Sequence, residues 1–313
     1  MAVIRALAEA DLAAAQRLVR VAFGTYLGAP DPERFWTDRD YVRGRFGAPH
    51  IAAFAAEEEG ALVGSNFAIK WGSVGFFGPV SIRPDVQNRG IGQSLVAAAC
   101  ERFAAWGTRH AGLFTFAGSA RHIHLYGKFG FHPRFLTAVL AAPAGPVGGM
   151  RPGSRYSALS ESERGESLAA ARELCDALYA GLDLGAEIRT VAARQLGDTV
   201  LSRDGGGRLA GFAICHWGPD SEAGAETCFV KFAAIRPGPG DGERFEALLD
   251  ACAALACEIG MKRVEAGVNL AREEAYRRML ARGFRTQIQG VAMHRPNEPG
   301  YSRPGVYVLD DWR

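Results

Sequence analysis

The chain has 313 residues, 48% of them hydrophobic, with 36 basic against 34 acidic side chains and a net charge of +2. That length suits two domains of about 150 residues, each able to bury a core. Neither charge sign forms a long block, so nucleic acid and an anionic membrane surface are not expected partners.

No uncharged apolar stretch reaches the roughly 18 residues of a spanning helix. The first residues, through Asp11, lack the basic flank and apolar run of a secretory signal, so a cytoplasmic protein is expected. The six cysteines (100, 175, 215, 228, 252 and 257) contain no C-x-x-C pair and mostly lie in apolar runs. Reduced, buried thiols follow, and no metal site.

In chain order, residues 2–7 read as a first strand. Leu12, Ala15, Leu18, Val19 and Ala22 recur at helical spacing behind Asp11, which sits near the N-cap. Pro30-Asp31-Pro32 is a turn, and Glu33 to Phe46 reads as a second, aromatic helix carrying Phe35, Trp36 and Tyr41. His50 to Ala56 and Ala61 to Lys70 flank Glu57-Glu58-Glu59-Gly60 as a hairpin. A strand over Ser73 to Ile82 leads to Val86-Gln87-Asn88-Arg89-Gly90-Ile91-Gly92, and a helix-like run follows from Gln93 to Phe103.

That junction is a phosphate cradle. Glycine at 90 and 92 lets the backbone approach a ligand with no Cβ in the way. The turn delivers free N–H groups at the positive end of a helix, and Arg89 can add a charge-assisted contact. Neither G-x-x-x-x-G-K-[ST] nor G-x-G-x-x-G is present, so P-loop and dinucleotide readings fail.

Farther on, Gly112 to Phe116 is an apolar strand of the kind covered on both faces. Leu125-Tyr126-Gly127-Lys128-Phe129-Gly130-Phe131 places a helix-borne Tyr five residues before a Phe, and Phe135 to Ala141 is a later strand. The Pro/Gly-rich run from 141 to 149 reads as an interdomain linker. It divides the chain into 1–143, a linker 144–154, and 155–313.

The second half repeats the first. Ile82-Arg83-Pro84 recurs as Ile235-Arg236-Pro237, Gly130-Phe131 as Gly283-Phe284, and Leu95 as Leu248, all 153 positions on. At that offset Gln87 becomes Gly240, Gly90 becomes Glu243, Gly92 becomes Phe245 and Tyr126 becomes Met279. A carboxylate and a phenyl ring in place of the glycines would close the cradle, and Met cannot donate a proton. The second copy is expected to shape the acceptor pocket, complete the surface or make an oligomer contact, such as that of a homodimer. The tail from Gly305 to Arg313 alternates apolar and polar residues and is expected to be ordered as an edge strand.

Gln87-x-x-Gly90-x-Gly92, followed by Tyr126 and Gly130-Phe131, resembles the two hallmark motifs of the GNAT family of acyl-CoA N-acyltransferases. The resemblance implies an α/β (α+β) fold of two tandem domains. Each would be a mixed, mostly antiparallel sheet splayed between central strands and flanked by helices, with the second copy degenerate. It implies acetyl-CoA as acyl donor, a small-molecule or peptide amine as acceptor, and direct attack of the amine on the thioester. The backbone of Gln87, Asn88, Arg89, Gly90, Ile91, Gly92 and Gln93 would carry the diphosphate, with Ser94 as an early helix hydroxyl. Val80, Ser81 and Ile82 would pair with the pantetheine like an extra strand, and Ser119 would contact it or an ordered water. Tyr126 stands where the family places the acid for the leaving thiolate. Many relatives carry a glutamate base on the fourth strand, but Phe76 to Ile82 has no carboxylate. His122, His124, Asp31, a water chain or a group from the second copy remain candidates. A non-catalytic acyl-CoA sensor or interaction module is the alternative.

Overall fold

A computed structural model describes residues 2–145 and 153–313. The first half contributes strands β1 (Val3–Ala6), β2 (Ile51–Glu58), β3 (Ala61–Trp71), β4 (Val74–Phe77), β5 (Ser81–Ile82), β6 (His110–Thr115) and β7 (His132–Pro143). Its helices are α1 (Leu12–Tyr26), α2 (Ile91–Ala105) and α3 (Ala120–Gly127). The second half supplies helices α4 (Glu161–Leu178), α5 (Gly185–Ala193), α6 (Asp241–Glu258) and α7 (Glu273–Ala281). Its strands are β8 (Ser154–Arg155), β9 (Gly197–Arg203), β10 (Leu209–Gly218), β11 (Gly224–Ile235), β12 (Arg263–Asn269), β13 (Arg285–Arg295) and β14 (Val308–Leu309).

The strands form one continuous sheet in the order β1-β2-β3-β4-β6-β13-β7-β12-β11-β10-β9-β8, with β5 on β3 and β14 on β11. β4 and β6 are parallel, as are β11 and β12, and the remaining pairs are antiparallel. The repeat is visible here: β4/β6 and β11/β12 are the same parallel pair, 153 residues apart. The two halves exchange their last strands. β6 takes β13 of the second half as its neighbour, β12 takes β7 of the first, and β7 and β13 pair with each other in the middle.

Packing follows the exchange. One core cluster draws Trp71 and Phe76 from the first half together with Leu174, Phe232 and Trp312 from the second. Two further clusters lie under α2–α3 and under α6–α7, one in each half. Four of the six cysteines are buried free thiols. No helix among the described residues is long and apolar enough to cross a membrane.

Three expectations need correction. Glu33 to Phe46 is not a helix: a 3-10 turn over Pro32–Arg34 gives way to extended and turn conformations, with Trp36 at φ 50°. The Asp40 side chain accepts the amides of Val42 and Arg43, both at 2.7 Å, which caps a turn instead of continuing a helix. The Pro/Gly-rich run begins inside β7, which extends to Pro143, and residues 146–152 of the expected linker 144–154 lie outside the described residues. The tail does not extend the rim of the sheet: β14 is buried on the central strand β11, pairing Leu309 with Ala233 and Val308 with Ala234.

Candidate active site

The site is built where two parallel strands part. β4 and β6 pair only from Val74 to Phe76. Gly78, at φ 146°, then turns the chain away, and Ser81 and Ile82 resume pairing with Ser65 and Gly64 of β3. β6 continues instead against β13. Between them a V opens. The Val80 N–H, at the break, has no acceptor among the described residues. Arg45, buried, fixes the break by donating to the Gly78 carbonyl. The same guanidinium holds Glu222 at 2.8 Å and the Arg313 main-chain oxygen at 2.8 Å, so both halves brace the opening.

The glycine loop closes one end of the V. A 3-10 turn over Pro84–Val86 is followed by left-handed Asn88 (φ 65°) and Gly90 (φ 86°), and Gly90 caps the 15-residue α2. The amides of Asn88 to Gln93 make no hydrogen bond among the described residues. A Cβ at Gly90 would meet nothing within 4 Å, whereas one at Gly92 would lie 3.0 Å from Ile82. Bare consecutive N–H groups at a helix N-terminus bind phosphate, and the residues present fit a cofactor diphosphate.

A cleft of about 780 Å³ runs along the V. Of the expected cofactor residues, Val80, Ile82, Gln87, Asn88, Gly90, Gly92 and Gln93 line it. Five do not. Ser81 is buried with a hydroxyl that has no partner among the described residues, and Ile91 is buried in the core. Arg89 points toward Glu58, 3.9 Å away, and the Ser94 hydroxyl turns back to the Gly90 carbonyl at 3.5 Å. Ser119 is buried at the start of α3. Two cations that carried no sequence signal, Arg121 and Lys128, line the cleft, and Arg121 donates to the Gln87 side-chain oxygen at 3.3 Å.

Tyr126 also lines the cleft, 7% exposed, with no hydrogen-bond partner among the described residues. Its ring meets Phe77 edge-on at 5.7 Å. Burial raises the phenol well above its ordinary value, so it stays protonated. His122 lies between Tyr26, at 5.2 Å, and Tyr126, at 6.5 Å. Its Nδ1 is buried without a partner among the described residues, and burial, then Arg121, holds the imidazole below its ordinary value and therefore neutral. His124 lines the cleft from the exposed side of α3. Asp31 does not line it; its carboxylate accepts the Glu33 amide at 3.1 Å.

The far wall comes largely from the second half. β12 contributes Arg263 and Glu265, β13 contributes Gln287 and Ile288, and the tail contributes Trp312 and Arg313. Trp312 sits at φ 54°, donates to the Tyr301 hydroxyl at 2.9 Å and stacks on Phe76 at 6.5 Å. It occupies the space above Gly112, where a Cβ would come within 2.0 Å of its ring.

The second copy opens the same V and fills it with its own chain. β11 and β12 pair from Thr227 to Val230, and beyond that point β14 lies in the gap. Tyr307 packs on Phe245 at 5.1 Å, so the ring expected to close the approach does so against the tail. The loop differs from the expected correspondence in one respect. The left-handed cap is Gly240 (φ 75°), and α6 runs 18 residues, so the helix begins three residues earlier relative to the repeat. Residue 243, matched to Gly90, is thus helical. Arg244 donates to the carbonyls of Arg236 and Pro239, and Arg278 lies over Gly242, leaving no room for a Cβ.

Residues 15–131 match the sequence model of the Acetyltransferase (GNAT) family. No curated protein sequence matches the chain. Among solved structures, a Pyrococcus horikoshii protein described as an acetyltransferase is similar at TM-score 0.69 and 13% identity, covering 98% of this chain and 93% of its own. A GCN5-related N-acetyltransferase from Sphaerobacter thermophilus is similar at TM-score 0.61 and 16% identity, over 94% and 95%. A tandem GNAT protein from the clavulanic acid biosynthesis pathway is similar at TM-score 0.57 and 16% identity, over 94% and 98%. At those identities the likeness is one of fold.

Proposed function

Starting from a GNAT-family domain set within a tandem GNAT fold, we propose that this protein moves an acetyl group from acetyl-CoA to an amine, at one centre in the first half. The observation that carries the reading is the run of unpaired amides from Asn88 to Gln93, opening onto a cleft that Tyr126 also lines. When bound, the acyl donor supplies a thioester carbonyl and a thiolate leaving group.

The chain's own residues supply the rest. The loop amides, with Arg121 and Lys128, hold the diphosphate. The free Val80 N–H at the strand break is a donor for the thioester carbonyl, in the manner of an oxyanion hole. Tyr126, kept protonated by burial, gives its proton to the departing sulfur. His122, neutral and with a free Nδ1 beside Tyr126, is the group in this reading that takes the amine's proton. The second V takes part only as scaffold, because β14 occupies it. Free, buried thiols suit a cytoplasmic enzyme.

A thiol-release assay with acetyl-CoA and a mixed panel of amines, amino acids, polyamines, aminoglycosides and peptides tests the reading. Release with any acceptor supports turnover and retires the sensor alternative. Coenzyme A binding with no release across the panel favours the sensor, and no calorimetric heat from coenzyme A retires both.

A further inference from the structure

The cleft is charged unevenly. The side chains lining it include five cations, Arg39, Arg121, Lys128, Arg263 and Arg313, against one carboxylate, Glu265. Arg121 belongs to the loop end through its contact with Gln87, whereas Arg263 and Arg313 belong to the second half's wall. Arg313 is paired, to Asp311 at 2.6 Å and to Glu265 at 2.8 Å. Arg263 is not: its Nε donates to the Thr227 hydroxyl at 2.8 Å, and no carboxylate reaches it among the described residues. Arg39 packs over Trp36 at 5.5 Å and touches Asp38 only at 3.4 Å.

The same chamber has unclaimed apolar surface. Three of the six large hydrophobic side chains left exposed among the described residues, Tyr26, Leu27 and Ile288, line this cleft. Phe23 and Trp36 stand 5.4 Å apart, and Tyr26 and Phe116 4.8 Å apart, giving flat faces beside the cations. Exposed apolar surface gathered in a concavity marks a ligand, and a planar fork without a carboxylate partner, here Arg263, recognises a carboxylate.

We propose that the acceptor is a primary amine that carries its own carboxylate and a flat apolar body, the chemistry of an aromatic amino acid. The proposal rests on the acetyltransferase reading of this cleft and names its second substrate. Arg263 takes the carboxylate. The aromatic faces take the body. Nearby guanidinium groups disfavour an ammonium, so the amine is released from its proton more readily than in water. This eases the demand on His122 and accounts for a centre without a fourth-strand glutamate. Polycationic amines are excluded by the same field.

Calorimetry on protein saturated with coenzyme A, which cannot turn over, tests this with two probes that each keep half of the acceptor. 3-Phenylpropionate keeps ring and carboxylate; 2-phenylethylamine keeps ring and amine. The expected result is at least about tenfold tighter binding of the carboxylate, since a charge-assisted pair is at stake, with Arg263→Gln removing most of the difference. Equal or tighter binding of the amine overturns the proposal. So does absence of heat from the carboxylate at millimolar concentration, or a difference untouched by Arg263→Gln. The coenzyme A titration that precedes each run reports on the cofactor reading separately. Carboxylate binding without coenzyme A binding would retire the acetyltransferase and keep the anion-binding chamber.

Discussion

Replacing Tyr126 by Phe separates chemistry from structure unusually well in this site. The phenol oxygen has no hydrogen-bond partner among the described residues, so its removal orphans no donor or acceptor. The ring keeps its edge-on contact with Phe77. Stability should therefore change by no more than about 0.5 kcal/mol, and the coenzyme A dissociation constant should hold, because the loop amides lie on a different element. Loss of a positioned acid costs about 10- to 1000-fold in kcat, which is about 1.4–4 kcal/mol of barrier. Steady-state thiol release, a coenzyme A titration and a thermal melt on both proteins are sufficient. An unchanged kcat would remove Tyr126 as the acid. A fall in kcat matched by equal loss of coenzyme A affinity would make it a packing residue. The burial that raises the phenol above its ordinary 10.0 also means that the wild type should show no Tyr126-dependent loss of rate up to that pH.

Other perturbations read other parts of the molecule. Gly90→Glu faces open space, so strain at φ 86° should cost only about 1–2 kcal/mol, while coenzyme A binding should weaken at least about 100-fold as a carboxylate meets the diphosphate; intact binding refutes the cradle. Calorimetric stoichiometry should be one coenzyme A per chain, and a value of two would show that β14 does not block the second V. Trp312→Ala should lower stability by about 3–5 kcal/mol in urea unfolding, as for other large aromatic truncations, and a loss below about 1 kcal/mol would mean the tail is not packed as described. His110, His216 and His294 are buried and held to about 4, about 4 and about 3, chiefly by desolvation, and His110 and His294 hydrogen-bond to each other at 3.0 Å. Unfolded imidazoles take up protons near pH 6.5. As pH falls below that value the unfolded chain binds protons that the folded chain refuses. Stability should then drop, by up to about 4 kcal/mol per pH unit for the three together, until about pH 4. A melting temperature unchanged between pH 7 and 5 contradicts their burial.

Local chemistry was legible in the sequence and partnership was not. Glycines at fixed spacing after an apolar strand announced the loop, because a tight turn and close backbone approach admit few other residues. A constant offset of 153 announced the second copy, and the structure adds that the parallel strand pair recurs at the same offset. The exchange of β7 and β13 left no trace, since alternation specifies which face of a strand is buried and not whose strand lies beside it. Glu33 to Phe46 misled because its aromatic residues do not form one stripe: Trp36 packs on Phe23, while Asp40 ties the following turn. The tail held a clue that the alternating pattern obscured. Val306, Tyr307, Val308 and Leu309 are consecutively buried, as in a strand covered on both faces. Arg121, Lys128 and Arg263 lie far apart in the sequence and become a feature only when the fold brings them to one cleft.

The exchanged strands bear on how the chain is made. A ribosome delivers β4, the glycine loop and β6 early, yet β6 must wait for β13, some 170 residues later, before its free edge is covered. Until then the nascent first half carries an unpaired edge, open to the wrong neighbour in a crowded polysome. β7, emerging meanwhile, is the nearest candidate for that edge, and pairing there would give a kinetically accessible isomer with the halves side by side instead of interlocked. Selection for soluble yield would then act on the timing of synthesis between residues 143 and 285 as well as on the contacts of the finished protein.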